Sequence, residues 1–383
     1  MSFDALWAEL EPVGRAPSGG YRRFAWTRED LTLRSWFASA AAARGLDLSV
    51  DRAGNQWAWW GPPSVPGVVA GSHLDSVPDG GAFDGPLGVV SAFCAISALQ
   101  SSGFVPSRPI GVVNFADEEG ARFGVACAGS RLLTGALPAE RALALRDSDG
   151  VTMADALRAA GRAAPAADPE AVRRVGVFVE LHVEQGRGLI DLGASIGVGT
   201  AIWPHGRWRV DLVGEANHAG TTRLADRRDP MLDYARLVLA ARDAAERHGG
   251  VATCGKVRVE PNGVNAIPSR VTAWVDARAP SAEAVRRVIA SLGAPTTEES
   301  WTDETVFDAA LRARLTAVLD NPPQLSTGAG HDAGILAATG VPSTMLFVRN
   351  PTGVSHSPAE FAERDDCLAG VEALTAVLQD LAR

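Results

Sequence analysis

The run Pro109-Ile110-Gly111-Val112-Val113-Asn114-Phe115-Ala116-Asp117-Glu118-Glu119-Gly120 decides how the rest of this chain is read. Its first half is apolar and β-branched, which predicts a buried strand. Its second half ends in adjacent carboxylates. Burying such charges costs free energy unless they are paired or bound to a metal. One glutamate of the pair can hold a metal while its neighbour handles a proton. The alternative is a solvated helix start, because acids favour a first helical turn.

Two other stretches repeat this design. Gly67-Val68-Val69-Ala70-Gly71-Ser72 reads as a strand running into His73-Leu74-Asp75, and Val175 to Leu181 as another running into His182-Val183-Glu184-Gln185. Between them, Leu87 to Leu99 carries apolar residues at helical spacing. Strands alternating with helices predict an α/β domain with a mainly parallel sheet. In such a fold the site lies beyond the carboxyl ends of the strands.

From about Trp203 the pattern changes. Trp208 to Val213 reads as a strand, and Pro230 to Arg247 as an amphipathic helix with Met231, Tyr234, Leu237, Val238 and Ala241 on one face. Val257 to Val259 and Arg270 to Val275 read as further strands, and Ser281 to Leu292 as a second helix. This pattern predicts a smaller inserted α/β domain over residues 203–303. Residues 1–202 and 304–383 form the first domain, which resumes with a helix near Phe307 and a strand from Ser343 to Val348. The Ala-rich stretch from Ala136 to Arg174 is expected to be helical and peripheral.

With 383 residues the chain exceeds what one compact core organises, in keeping with two domains. Its net charge of -9 argues against a nucleic-acid surface, so no nucleic-acid partner is expected. No apolar run is long enough to cross a bilayer, and the N-terminus lacks the pattern of a signal peptide. Cys94, Cys127, Cys254 and Cys367 are far apart and form no Cys-x-x-Cys pair. They read as reduced thiols, most of them buried, in a cytoplasmic protein.

Histidine is scarce, and five of the seven lie in polar, Gly-flanked motifs: His73, His182, His218, His331 and His356. In His73-x-Asp75 the histidine can bind a metal through one ring nitrogen while a carboxylate orients it through the other. A capped turn is the simpler alternative. Asp84, in Gly80-Gly81-Ala82-Phe83-Asp84-Gly85, suits either a loop tip or a carboxylate bridging two metals. Together His73, Asp84, Glu119, His182 and His356 suit two borderline divalent ions sharing one carboxylate. Glu118 is then left to deprotonate a water between them. Zinc and manganese head the expected metals, and cobalt or nickel fit the same donors.

The stretches GSHLDSVPDGGAFDGPLGV, FADEEGARFG, ELHVEQG, GEANHAGTTRLADRRDP, PNGVNAIP, GAGHDA and GVSHSPAE follow one another from Gly71 to Glu360. In them the chain resembles the di-metal amidohydrolases related to aminoacylase and carboxypeptidase G. Within that group it resembles the branch of allantoate amidohydrolase, N-carbamoyl-L-amino-acid hydrolase and β-ureidopropionase. The resemblance implies a di-metal hydrolase domain with an inserted lid through which a homodimer forms. It places His73 and His182 at one metal, Glu119 and His356 at the other, and Asp84 between them. Glu118 becomes the general base, with Asp75 among the catalytic residues. Gln185, Asn265 and Arg278 match substrate-binding positions, Arg278 suiting a carboxylate on a small-molecule substrate. His218 matches a lid histidine that stabilises the tetrahedral oxyanion in a neighbouring subunit. His331 and Asp332 match a motif near the site, and no catalytic role is expected of them. Peptidase-like relatives carry an acidic ligand where this chain has His182, which favours the ureido branch.

The implied activity is metal-dependent hydrolysis of a C–N bond in an N-carbamoyl amino acid or allantoate. Alternatives are an N-formyl- or N-acyl-amino-acid amidohydrolase, a dipeptidase of the same superfamily, and a non-catalytic binding protein. The family continues its His-Ala-Gly-Thr-Thr motif with Pro-Met, whereas this chain has Arg223-Leu224. Arg223 is therefore a candidate for binding a second substrate carboxylate; pairing with Asp226 is the alternative.

Overall fold

The computed structural model describes residues 2–383, which divide into two compact units, residues 2–200 with Val306–Arg383, and Ala201–Thr305. The first unit is built on a nine-stranded sheet. Its strands β1 (Asp47–Val50), β2 (Gln56–Trp60), β3 (Gly67–His73), β4 (Ile110–Phe115) and β5 (Val175–Val183) lie in the order β1-β2-β4-β3-β5. The strands Ser343–Val348 and Ile196–Ile202 follow β5. β4, β3, β5 and Ser343–Val348 run parallel, and antiparallel strands flank them on both sides.

β3, β4 and Ser343–Val348 are buried along their whole length. That explains their continuous apolar runs, since helices cover both faces of a parallel sheet. The helices Pro86–Ser101 and Arg364–Leu381 supply Val89, Phe93, Ile96, Leu374, Val377 and Leu378 to this core. Pro86 opens its helix with a preset φ at a position where no N–H is needed. Gly85 precedes it at φ +84°, and a Cβ there would lie 2.4 Å from the His73 ring. Only glycine lets this helix begin against the end of β3.

The Ala-rich segment forms three short helices, Ala139–Ala144, Met153–Ala159 and Pro169–Arg173. Gly150 and Gly161, both at positive φ, and Pro138 and Pro169 interrupt it. β1 and β2 were not anticipated: Trp57, Trp59 and their neighbours carry no alternating pattern because β2 is almost wholly buried.

The second unit carries a four-stranded antiparallel sheet in the order Thr297–Thr302, His205–Val213, Arg270–Arg278, Val251–Glu260. In His205–Val213 burial alternates, so one face is packed and the other open. Thr297–Thr302 was missed from the sequence because an exposed edge strand, Thr-Glu-Glu-Ser-Trp-Thr, has no apolar signature. The helix Pro230–His248 buries Leu237, Ala241, Ala244 and Ala245, whereas Met231 and Val238 are exposed. Leu237, Ala241 and the partly buried Tyr234 pack as expected, and Ala244 extends the packed stripe to Trp208, Ala277 and Ala279 in place of Met231 and Val238.

Among the described residues no helix is long and apolar enough to cross a membrane. All four cysteines are unpaired, and Cys94, Cys127 and Cys367 are buried.

Candidate metal centre

Each parallel strand delivers a polar residue at its carboxyl end. His73 closes β3, and His182 lies near the end of β5, opposite Phe347. Glu118 and Glu119 follow β4, and His356 follows Ser343–Val348. Asp84 stands in the loop that leads into the helix Pro86–Ser101. No helix starts at Glu118, and its carboxylate is buried, so the solvated alternative does not hold.

These residues converge on Asp84. Its Oδ1 lies 3.0 Å from His182 Nε2 and 3.4 Å from His73 Nε2. Its Oδ2 lies 3.4 Å from His356 Nε2, which is 3.5 Å from Glu119 Oε2. Two donor sets result, His73–Asp84–His182 and Asp84–Glu119–His356, each close enough to hold one ion. The shared carboxylate belongs to both.

The histidines are set as ligands. His73 Nδ1 meets the Asp75 carbonyl at 3.1 Å, and His182 Nδ1 meets the Val183 carbonyl at 2.8 Å. Each Nδ1 therefore donates to a carbonyl, which leaves each Nε2 as the atom that would ligate an ion beside Asp84. Both Nε2 atoms are buried with no hydrogen-bond partner. Orphaned ring nitrogens beside a bridging carboxylate are what two divalent ions would satisfy, so the residues fit the group.

Electrostatics around the centre follows from burial. It pushes Glu118 well above the usual carboxylate range, and the neighbouring Asp332, Glu119 and Asp75 add to the rise. Glu119 is raised to about 7 by burial and then by Asp84. Burial opposes the ionisation of Asp84 too, but His182, His356 and His73 together hold its carboxyl well below the ordinary value. His356 is raised to about 9, first by its hydrogen bond to Asp84. His331 packs against the His182 ring at 4.5 Å, and burial keeps it neutral.

Asp75 departs from its expected use. Its backbone carbonyl is the nearer partner of His73 Nδ1, with the carboxylate at 3.5 Å. The carboxylate instead accepts the backbone N–H groups of Glu118 at 3.1 Å and Glu119 at 3.0 Å. It thereby fixes the turn that presents both glutamates. Gln185, expected at the substrate, donates its amide to Asp84 Oδ2 at 2.8 Å and Ser355 Oγ at 3.1 Å.

Three contributors were not assigned from the sequence. Glu360 Oε1 accepts the N–H groups of Phe83 and Asp84, and its Oε2 accepts Ser355 Oγ–H. Glu180 accepts Ser72 Oγ–H and the Ala333 N–H. The Cys127 thiol donates to Glu118 Oε1 at 3.1 Å. Glu360 lies four residues past His356 in a quoted motif, a usable signal. Cys127 and Glu180 look like ordinary core residues until the fold is known.

The remaining candidates belong to the second unit. His218 Nδ1 accepts the N–H groups of Gly220 and Thr221, which leaves Nε2 protonated as a donor. The Asn265 carbonyl accepts the Ala219 N–H, so Asn265 and His218 share one exposed corner. Arg227 ties the same loop through the carbonyls of Ala219 and Thr222. Arg278, at the end of its strand, pairs with Asp276 at 2.8 Å. Arg223 pairs with Asp226 at 2.7 Å while its side chain is 82% exposed. That is the pairing weighed against a substrate role.

Comparison with known proteins places this geometry in a family. The chain is 38% identical to an N-carbamoyl-L-amino acid amidohydrolase of Geobacillus stearothermophilus, over 99% of this chain and 98% of that one. It is 34% identical to the allantoate amidohydrolase of Escherichia coli strain K12, over 97% and 96%. The crystal structure of AtUAH in complex with (S)-hydroxyglycine superposes with a TM-score of 0.88 at 29% identity, covering 99% of this chain and 97% of that one. The family model of peptidase family M20/M25/M40 matches residues 69–380, and the chain belongs to that family.

Proposed function

We propose that this chain hydrolyses a non-peptide C–N bond in a ureido compound, an N-carbamoyl amino acid or allantoate. The observation that carries this reading is Asp84, shared by a buried donor set and a more open one while Glu118 stands beside them outside both. The proteins it resembles over nearly its whole length include amidohydrolases of those two substrates.

His73 and His182 would hold one ion, Glu119 and His356 the other, and Asp84 both; mixed imidazole and carboxylate donors suit zinc or manganese. Bound there, such ions lower the pKa of a water and polarise a carbonyl oxygen. Glu118, with Oε2 3.7 Å from His73 Nε2, accepts the proton of the attacking water and passes it to the departing nitrogen. Asp75 holds the Glu118 backbone in place for this exchange. In the lid, Arg278 suits the substrate carboxylate and Asn265 another polar group of the substrate, and the His218 Nε2–H stabilises the oxyanion in the site of a neighbouring subunit.

The exposed Leu232, Val238 and Leu239 on the helix Pro230–His248, together with the edge strand Val251–Glu260, support a homodimer through this lid. Unpaired thiols support a reducing, cytoplasmic setting.

The test is a substrate panel of allantoate and N-carbamoyl, N-formyl, N-acetyl and dipeptide compounds, assayed with added Zn²⁺, Mn²⁺, Co²⁺ or Ni²⁺. The ureido compounds are expected to give the highest kcat/KM. Turnover confined to N-acetyl compounds or dipeptides would overturn the assignment.

A further inference from the structure

Glu118 faces two ways. Its Oε2 looks toward His73, but its Oε1 is engaged with Cys127 Sγ. On that second side lies Asp332. Donor atoms of Glu118, Cys127 and Asp332 all lie within 4.8 Å of one another, and the three residues are 5%, 2% and 0% exposed.

Asp332 is the informative member. Its Oδ1 accepts Ser130 Oγ–H at 2.5 Å, whereas Oδ2 is buried with no hydrogen-bond partner. A buried carboxylate oxygen left unpaired is costly, and a proton or a cation would relieve it. Asp75, Asp84, Glu118, Glu119, Glu180 and Asp332 crowd six carboxyl groups into this region.

We propose that Glu118, Cys127 and Asp332 form a third cation site, which takes a borderline or soft divalent ion such as zinc or cadmium and thereby inhibits the enzyme. One sulfur and two carboxylate oxygens match such ions and disfavour magnesium or calcium, which prefer oxygen alone. On binding, the thiol proton and the carboxyl protons leave to solvent as metal–sulfur and metal–oxygen bonds form. No electrons are transferred. A cation on Glu118 Oε1 occupies the carboxylate that must accept and release the proton, so turnover stops while the shared-carboxylate centre stays filled. Inhibition rests on the proposed role of Glu118; binding does not.

The experiment uses full-length protein loaded with two equivalents of Mn²⁺ and then titrated with Cd²⁺. A further equivalent is expected to bind with the ultraviolet charge-transfer absorption of a cadmium thiolate, and activity on the best ureido substrate should fall in parallel. Cys127→Ala should lose the absorption, with its inhibition read against its own activity without Cd²⁺. Its half-inhibiting Cd²⁺ concentration should rise about 100-fold, at the upper end of what disturbing a metal site costs. Asp332→Asn should keep the absorption but bind about tenfold more weakly. Absence of the absorption in the unsubstituted protein, or equal Cd²⁺ inhibition of that protein and Cys127→Ala, would overturn the proposal. The absorption is read without substrate, so a wrong substrate assignment leaves that arm of the test intact.

Discussion

Glu360 holds Asp84 by its backbone: one carboxylate oxygen, Oε1, accepts the N–H of Asp84 and that of Phe83, both at 2.9 Å. The other oxygen accepts from Ser355, next to His356. A single buried carboxylate therefore fixes the loop of Asp84 relative to the loop of His356. The fit is close, since a Cβ on Gly81 would lie 2.3 Å from Glu360 Oε1.

Glu360→Ala should leave the ligand side chains present but their loops loose. Metal affinity is expected to fall about 10- to 100-fold, as when the supports of metal ligands are removed. Glu360→Gln keeps a carbonyl oxygen for the two N–H groups and should lose far less. Competition with a chromophoric chelator measures both. Equal affinity in Glu360→Ala and the unsubstituted protein would remove Glu360 from the site's support.

Glu118 and Glu119 are neighbours in sequence with different surroundings. Glu119 lies in the donor set with Asp84 and His356, whereas Glu118 lies outside both sets that share Asp84. Glu118→Gln should therefore keep two metal equivalents and lose about a thousandfold in kcat, within the usual range for a general acid–base. Metal analysis beside steady-state kinetics decides this. Near-normal turnover would refute the proton-shuttle role.

The residues that gather around Asp84 left a trace in the sequence: His73, Glu119 and His182 come at or just after apolar runs that read as buried strands, and Asp84 sits among glycines in the loop before a helix. What holds them was not legible. Cys127 reaches Glu118 across nine residues, and Glu360 reaches Asp84 across 276. Neither pairing leaves a periodic trace, because both depend on loops meeting at the ends of strands. The inserted unit was read from its alternating strands, but its edge strand Thr297–Thr302 was not, since an exposed edge need not be apolar. On the helix Pro230–His248 the expected face held at Tyr234, Leu237 and Ala241 and failed at Met231 and Val238, because Ala244 and Ala245 continue the packed stripe instead.

Arg223 stood out in the sequence as an added cation on the lid. In the structure its guanidinium is paired with Asp226, three residues away, and both side chains are largely exposed. Such pairs are weak and local. Arg223→Ala is thus expected to change kcat/KM by less than about threefold, and equally for N-carbamoyl-glutamate and N-carbamoyl-alanine. A loss confined to the glutamate compound would instead assign Arg223 to a second substrate carboxylate.

Removing the metals should make stability depend on pH in a defined direction. Without ions, Glu119 is raised from 4.5 to about 7 by burial and Asp84, so the folded chain keeps a proton that the unfolded chain releases. Stability then falls as pH rises through that window, on the order of 3 kcal/mol for this group. His356 is raised from 6.5 to about 9 by Asp84, so its contribution is full below 6.5 and is lost as pH rises toward 9. The two effects have the same sign. Asp84 is lowered, and its contribution changes only below 3.8, outside this range. Bound ions replace these protons and supply the missing charge at high pH, so the loaded protein should not share the decline. Thermal unfolding of loaded and chelator-treated protein should therefore show a Tm gap that widens steadily from pH 5 to pH 9. A gap independent of pH would mean that the carboxylates and histidines around Asp84 are not where the ions bind.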